Sequence, residues 1–262
     1  VATALGMQLV DGGQEISDFF DLVFRPGSTA NEVKQVWEAV STWLHHQEVE
    51  TLQLDYLSST SISYQVLQTA QTPQLIASKP QEVAPAVTLP VDWMLYVSSL
   101  KKKYRDELKR KLKRLDQVQP EYQFGVVPTD QATADFIRLH RLSDSAKQHF
   151  MTDSMAAFFT QLALATHDGG WQWHYAFVAL AGVRVAAVAY FQRSTDAFLL
   201  YNSGYDPAYR QQGVGFCLVA RLLQSAIEQH CARFDFLRGS ERYKYELGGV
   251  DQELYQLRLL VS

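Results

Sequence analysis

The sequence has little of what covalently cross-linked or metal-dependent folds require. Its 262 residues include only two cysteines, Cys217 and Cys231, which are too few for a disulfide framework and favour a reducing, cytoplasmic setting. No H-E-x-x-H, C-x-x-C or G-x-S-x-G pattern occurs, so neither zinc nor serine hydrolase chemistry has support and no metal is expected. No apolar run approaches the roughly 20 residues that a bilayer-spanning helix needs, so no transmembrane segment is expected.

Excess positive charge is also missing, except in one place. The net charge is −4, yet the fourteen residues from Lys101 to Arg114 contain nine basic and two acidic side chains. The rest of the chain is therefore acidic, which argues against general nucleic-acid binding. The basic stretch predicts either a solvated helix surface or a docking site for an anionic partner: a polyanionic substrate, an acyl carrier protein, RNA or a membrane surface.

Residue spacing predicts an α/β (α+β) fold in three parts. Residues 1–90 are expected to form a small α/β lobe with a helix capped by Asn31, a strand starting at Thr51, and a proline-punctuated connector after Pro73. Residues 91–119 are expected to form a basic amphipathic connecting helix, continuous from 92 to 117.

Residues 120–262 are expected to form a second lobe, in which a mixed, mostly antiparallel sheet is flanked by helices. Its predicted strands cover 122–127, 175–180, 183–192, 197–205 and 234–237. Ala181-Gly182 predicts a tight hairpin, and a helix is predicted from Val214 to Glu228.

The most informative stretch joins the strand ending at Tyr205 to that helix through Arg210-x-x-Gly213-x-Gly215. Glycines let a backbone approach a ligand closely and reach otherwise unfavourable dihedral angles. The free N–H groups and the dipole of the helix's first turn favour an anion, so this turn predicts a pyrophosphate site to which Arg210 adds a cation. The pattern alone is weak, and a ligand-free turn is the alternative. The Walker and dinucleotide-binding patterns are both missing.

Three blocks of sequence together resemble one branch of the GNAT superfamily. Arg210-Gln-Gln-Gly-Val-Gly is similar to its acyl-CoA motif, and the stretch from Phe234 through Gly239-Ser-Glu-Arg-Tyr-Lys is similar to the branch's "strand, then Gly-x-Glu-x-Tyr-Lys" signature. The tryptophan-to-leucine helix beginning at Asp92, with its basic tail, is the third block. This branch is grouped with cellulose and exopolysaccharide biosynthesis proteins and is distantly related to Fem-type aminoacyl transferases. The resemblance implies tandem GNAT-like lobes, the first degenerate or truncated. Members of the branch have a further N-terminal segment before a region like Leu5 to Asp21, so strands of the first lobe are expected to be missing.

Two sets of site residues follow from these patterns and the resemblance. Tyr201, Ser203 and Tyr205 are expected to pair with the pantetheine arm of an acyl-CoA through a strand edge. The pyrophosphate is expected to lie on Arg210, Gln211, Gln212, Gly213, Val214 and Gly215.

The candidates for proton transfer follow the last of the predicted strands. The resemblance implies that Tyr243 donates a proton to the leaving thiolate, and Glu241 and Lys244 are the nearest charged groups. An alternative for these residues is a core tyrosine beside an i,i+3 ion pair. His149 and His174 are further titratable candidates.

The preferred function is an acyl-CoA-dependent N-acyltransferase that acts on a primary amine of a small molecule or an amino sugar. One alternative is a Fem-like transferase that uses charged tRNA, with Lys101–Arg114 as the RNA contact. The other is a non-catalytic GNAT-fold component of polysaccharide assembly.

Overall fold

The protein is described by a computed structural model. It covers residues 17–165 and 170–261, together with the backbone of residues 2–3, 9–10 and 14–15. Within the region Leu5 to Asp21, residues 5–8, 11–13 and 16 lie outside the described residues. The chain forms two compact units, one made of Val1–Ala84, Arg238–Ser240 and Asp251–Ser262 and the other of Pro85–Leu237 and Glu241–Val250.

Helices and strands alternate along much of the chain. The helices are α1 (Ala30–His46), α2 (Ile62–Leu67), α3 (Trp93–Ser99), α4 (Lys102–Asp116), α5 (Asp130–Ser143), α6 (Ser145–Phe150), α7 (Asp153–Ala165), α8 (Val214–Glu228) and α9 (Arg242–Glu246), with a 3₁₀ helix over Pro207–Gln212. The strands are β1 (Ala2–Thr3), β2 (Leu9–Val10), β3 (Gln14–Glu15), β4 (Thr51–Ser58), β5 (Gln74–Val83), β6 (Ala86–Thr88), β7 (Glu121–Val126), β8 (Gln172–Leu180), β9 (Val183–Arg193), β10 (Ala197–Tyr205), β11 (Arg233–Asp235) and β12 (Glu253–Leu260).

The first unit is built on a four-stranded sheet with the order β1-β4-β12-β5. Helix α1 begins with a capping box in which Thr29 and Glu32 satisfy each other's backbone N–H groups. Trp37 of this helix is fully buried and donates its indole N–H to Ser63 Oγ at 3.0 Å. Because a buried indole N–H needs an acceptor, Ser63 lets the core take a residue as large as tryptophan.

The second unit carries a six-stranded mixed sheet with the order β6-β11-β10-β9-β8-β7. Neighbouring strands are antiparallel except for the parallel pair β10 and β11. Helices cover both faces: a Cβ at Gly204 would meet the backbone of α5, and the ring of Tyr205 lies against Gly215 of α8. The mixed, mostly antiparallel sheet flanked by helices is the predicted architecture.

Strands β10 and β11 separate before β10 ends. They pair only from Ala197 to Leu199, whereas β10 stays paired with β9 as far as Tyr205. The register between β9 and β10 shifts between Leu200 and Asn202, which leaves Tyr201 as a bulge. Among the described residues, the second half of β10 therefore has one edge with no strand partner, which we call the open edge.

Several sequence predictions of local structure need correction. The single helix expected over 92–117 is two helices, since Leu100 is buried in an extended conformation between α3 and α4. Ser98 and Ser99 donate their hydroxyls to the carbonyls of the preceding turn, a bond that competes with helix continuation. Most of the proline-rich connector is strand β5, which tolerates Pro80 because it lies at the edge of its sheet.

The compact units differ from the predicted division at 90 and 119. The last twelve residues contain β12, which pairs with both β4 and β5 and so belongs to the first unit. The basic helix α4 lies within the second unit, where Leu108, Leu112 and Leu115 enter the core. Strand pairing between segments almost 200 residues apart leaves no local signal in the sequence.

Candidate functional site

The backbone groups on the open edge of β10 belong to Ser203 and Tyr205. The N–H of Asp206 donates to the Val185 carbonyl of β9 at 2.8 Å. In an antiparallel pair, successive residues direct their backbone groups to opposite edges of the strand. Even-numbered residues here thus face β9, and Ser203 and Tyr205 face the open edge.

Side chains already bond these backbone groups. Ser203 N–H donates to Asn202 Oδ1 at 2.8 Å and Tyr205 N–H donates to Ser143 Oγ at 2.8 Å. The Ser203 carbonyl accepts a short hydrogen bond from Lys147 Nζ. An extended ligand that adds to this edge as a further strand has to replace these bonds.

A cavity of about 180 Å³ lies against the open edge. Ser203, Gly204 and Tyr205 of β10 form one wall, and the start of α8, with Gly215, Phe216 and Val219, forms another; Lys147 and Tyr243 complete the lining. Lys147 is the only charged side chain among these lining residues. The cavity thus combines an ammonium group and a phenol with largely apolar walls.

The Lys147 ammonium is poorly solvated. Burial lowers the pKa of this lysine, and the carboxylates of Asp144 and Glu241 raise it by smaller amounts. Both carboxylates have other partners: Asp144 Oδ1 accepts from Lys147's own backbone N–H at 2.8 Å, and Glu241 forms an ion pair with Lys244 at 2.9 Å. The described residues contain no ion pair to Lys147 within 4 Å.

Gly213 has the geometry of an open cradle at the start of α8. It adopts a left-handed conformation with φ +72° and ψ +31°, and no side chain caps the helix. A Cβ at this position would meet nothing within 4 Å, so the space next to Gly213 is open. Gly215 differs, since its Cβ would lie 3.3 Å from the Tyr205 ring; this glycine allows α8 to pack on β10.

The residues before Gly213 form the 3₁₀ helix rather than a simple turn. The side chain of Arg210 is exposed, and Arg114 Nη1 of α4 donates to the Gln211 carbonyl at 2.9 Å. Gln212 Oε1 is buried without a hydrogen-bond partner among the described residues. Open space, uncapped helical N–H groups and two nearby arginines fit a diphosphate in this position.

The three predicted catalytic residues have different surroundings. Tyr243 lines the cavity, and burial and then the charge of Glu241 raise the pKa of its phenol, so it stays protonated at neutral pH. Lys244 is 2% exposed, and its ammonium contacts the Leu237 carbonyl at 3.0 Å and Glu241 at 2.9 Å. Of the three, only Tyr243 lines the cavity.

Sequence reasoning missed the residues that α5 and α6 bring to the site. His140, Ser143 and Lys147 lie fifty or more residues before β10, in a stretch where His149 is the one site candidate that the sequence indicates. His140 is 1% exposed, and its Nε2 lies 3.0 Å from Asn202 Oδ1. Asp144 is extended and separates α5 from α6, so His140 and Ser143 lie on one helix and Lys147 on another, and no periodic spacing in the sequence singles out the three residues together.

A larger cleft lies elsewhere in the second unit. It measures about 420 Å³ and is lined by Tyr96, Tyr104 and Tyr245, among others, but by none of the predicted catalytic or CoA-binding residues. Within the described part of the chain, no group of three His, Cys, Asp or Glu residues is arranged to hold a metal ion. Nor does any described helix combine the length and hydropathy needed to cross a bilayer.

The family model described as "Acetyltransferase (GNAT) domain" matches residues 102–245, more than half of the chain. The chain belongs to this family. Among proteins with curated functions, none matches the sequence significantly.

Solved structures with the same fold share little sequence with this chain. A conserved protein of unknown function from Bacteroides thetaiotaomicron has a TM-score of 0.62 at 11% identity, over 87% of this chain and 75% of that chain. The C-terminal domain of a putative lysylphosphatidylglycerol synthetase from Agrobacterium fabrum has a TM-score of 0.61 at 10% identity, over 96% and 82%. FemX has a TM-score of 0.61 at 8% identity, over 88% and 77%. These similarities concern the fold.

Proposed function

We propose that the protein is an acyl-CoA-dependent N-acyltransferase that transfers an acyl group, acetyl in the first instance, to a primary amine of a small molecule or an amino sugar. The observation that carries the proposal is the free space above Gly213 at the uncapped start of α8. This space lies at the start of α8, and α8 also lines the cavity along the open edge of β10. A diphosphate bound at Gly213 would place the rest of the donor along the walls of that cavity.

The proposed donor site uses the predicted residues in two groups. The pyrophosphate would lie on the first turn of α8, with Gly213, Val214 and Gly215 supplying backbone and Arg210, Gln211 and Gln212 bordering it. The pantetheine arm would lie along Tyr201, Ser203 and Tyr205, with the acyl end in the cavity. Acyl-CoA enters here as a substrate, and its thioester is the acyl source for the reaction.

Tyr243 is the proposed acid, because its protonated phenol lines the cavity. The new C–N bond forms as the C–S bond breaks. The amine loses one proton, and the departing thiolate gains one. Tyr243 would supply that proton to sulfur and regain one from the amine. Glu241 and Lys244, through their ion pair, would hold the segment that carries Tyr243.

A thermal-shift screen with acetyl-CoA and longer acyl-CoAs tests the proposal. A ligand that binds only the folded state stabilises it by RT ln(1 + [L]/Kd), about 2.7 kcal/mol at 100 times Kd. We expect a rise in melting temperature with acyl-CoA, and thiol release when a panel of primary amines is added. Stabilisation without turnover on any amine would favour the non-catalytic alternative, and no stabilisation by any acyl-CoA would contradict the proposal.

The surface of α4 favours a second candidate, transfer from charged tRNA. Six exposed cations fall within an arc of roughly 140° of this helix, over about 18 Å of its length: Lys102, Lys103, Lys109, Arg110, Lys113 and Arg114. Arg114, at the end of this stripe, contacts the Gln211 carbonyl. RNA binding that weakens steeply with salt would favour this candidate, whereas CoA binding without RNA affinity would count against it.

A further inference from the structure

In the cavity beside β10, the backbone N–H groups of the open strand edge already have hydrogen-bond partners within the protein. Acyl transfer generates negative charge on the carbonyl oxygen of the acyl group, and an acyltransferase needs donors aimed at that oxygen. Backbone N–H groups on an open strand edge are obvious candidates. Here both edge N–H groups, those of Ser203 and Tyr205, are already bonded to Asn202 Oδ1 and Ser143 Oγ.

These two bonds are held in place by neighbouring groups. Asn202 Oδ1 also contacts Nε2 of His140, at 3.0 Å. Burial lowers the pKa of His140 to about 4, so the imidazole is neutral at neutral pH and its Nε2–H can donate to Asn202. Ser143 donates its own hydroxyl proton to the Leu139 carbonyl at 2.9 Å, which directs an oxygen lone pair at Tyr205 N–H. The edge amides are therefore committed within the protein.

With the Tyr243 phenol assigned to the leaving thiolate, the charged donor that lines the cavity is Lys147. Its ammonium lies on the open edge at the Ser203 carbonyl and lines the cavity. A lysine ammonium has three N–H donors, and the described residues provide a partner for one. The titratable groups around Lys147 are Asp144, Glu241 and His140. Both carboxylates are bonded elsewhere, and His140 is neutral.

We propose that Lys147 binds the carbonyl oxygen of the acyl group and stabilises the oxyanion that forms during transfer. This inference rests on the proposed function and adds to it a catalytic residue on α6. As the amine nitrogen attacks the thioester carbon, the carbonyl electron pair moves to oxygen, which the Lys147 ammonium binds. The pair returns when the C–S bond breaks, and Lys147 keeps its protons throughout.

Poor solvation strengthens this role. The Lys147 ammonium is partly buried and two of its N–H groups have no partner among the described residues, so it favours an anionic oxygen more than a neutral carbonyl. The cation therefore stabilises the oxyanion more than the ground state, as catalysis requires. Removing the charge is expected to alter the bound carbonyl while leaving the diphosphate contacts at Gly213 in place.

Isotope-edited infrared spectroscopy of bound acetyl-CoA, labelled with ¹³C at the carbonyl, measures this polarisation directly. In the wild-type protein we expect the carbonyl stretch to fall at lower frequency than in free acetyl-CoA. Lys147→Met should return it toward the free value, with affinity for CoA kept within about tenfold, or ~1.4 kcal/mol. Lys147→Arg should retain part of the shift because the cation remains. Lys79→Met, an exposed lysine of β5, is the control and should match the wild type.

The outcomes separate this inference from the proposed function. If the wild-type protein does not bind acetyl-CoA, both are wrong. If it binds and Lys147→Met gives the same carbonyl frequency as the wild type, the donor site stands and the role of Lys147 is overturned. That second result is also the one expected if Lys147 acts only as a base toward the amine. Circular dichroism of each variant confirms that it is folded.

Discussion

His140 is a buried histidine whose imidazole stays neutral in the folded protein. Its ring lies 5.8 Å from that of Phe136 and 5.6 Å from that of Phe150, between centroids, and the residue is 1% exposed. Burial, with a smaller effect from the charge of Lys147, lowers its pKa to about 4. Hydrogen bonds to the Asn202 side chain and to the backbone of Lys147 favour the charged ring, but by less than burial disfavours it.

The free energy of unfolding should therefore decrease as pH falls from ~6.5 to about 4. Above pH ~6.5, the ordinary pKa of histidine, both the folded and the unfolded states are neutral at this residue. Between ~6.5 and the folded value of about 4, only the unfolded state takes up a proton, so the free energy of unfolding decreases as pH falls. The total loss is about 3 kcal/mol.

Urea unfolding of His140→Gln, which keeps a side-chain donor, tests this expectation. The difference in unfolding free energy between wild type and variant should change by about 3 kcal/mol between pH 7 and 4. His149→Gln, at an exposed position, should follow the wild type. A difference that stays constant with pH would mean that His140 titrates alike in both states.

Two lysines at the site show what sequence could and could not predict at this scale. Lys244 lies three residues after Glu241, and this spacing alone predicted the ion pair that the structure contains. Lys147 reaches the cavity because α5 packs on β10 and the short helix α6, which carries Lys147, directly follows α5. The partners of Lys147 are set by tertiary contacts across 56 residues, so no local pattern identifies it.

At the scale of elements, the contact between α5 and β10 depends on one glycine. A Cβ on Gly204 would lie 2.4–2.6 Å from backbone atoms of Leu139 and His140. Backbone atoms in a helix cannot move aside as a flexible side chain can. This close approach brings Ser143 and Lys147, from α5 and α6, to the open edge of the strand.

Gly204→Ala should therefore separate α5 from β10 and destabilise the protein by about 3 kcal/mol, the upper range for overpacking. Gly125→Ala is the control: φ is +62° and nothing lies within 4 Å of its Cβ, so only backbone strain of about 1 kcal/mol is expected. Chemical denaturation of both variants gives the comparison. Equal losses would show that α5 can shift without cost.

Elements with local signals were the ones that sequence predicted well. Strand β10 and helix α8 have the predicted bounds, and the Ala181-Gly182 hairpin has positive φ at both residues, as its turn requires. Helix α6 was missed because six residues carry too little periodicity. The apolar spacing of 97, 100, 104 and 108 continues through Leu100 and therefore does not indicate the break there. The hydroxyls of Ser98 and Ser99 bond to backbone carbonyls of the preceding turn and compete with the helix.

At the scale of the whole molecule, the chain returns to its first unit after completing the second. Strand β12 is inserted between β4 and β5, and local sequence patterns do not encode such pairings. The tandem arrangement of lobes came instead from the resemblance to the GNAT superfamily. The family and the fold were accessible from motifs in the second unit, whereas the place of Lys147 in the cavity required the structure.

The central claim for the whole molecule is that the start of α8 binds the diphosphate of coenzyme A. Isothermal titration of CoA into the wild type and two glycine variants tests it most directly. Gly213→Leu fills the proposed phosphate position. Gly182→Leu is its matched control, since this hairpin glycine also has a left-handed conformation, φ +77° against +72°, and open space around its Cβ.

Because both substitutions introduce similar backbone strain, a difference between them isolates the binding site. We expect CoA to bind the wild type and Gly182→Leu alike, and to bind Gly213→Leu at least about 100-fold more weakly, a loss of ~2.7 kcal/mol. Equal affinity of the two variants, or no CoA binding by the wild-type protein, would contradict the account.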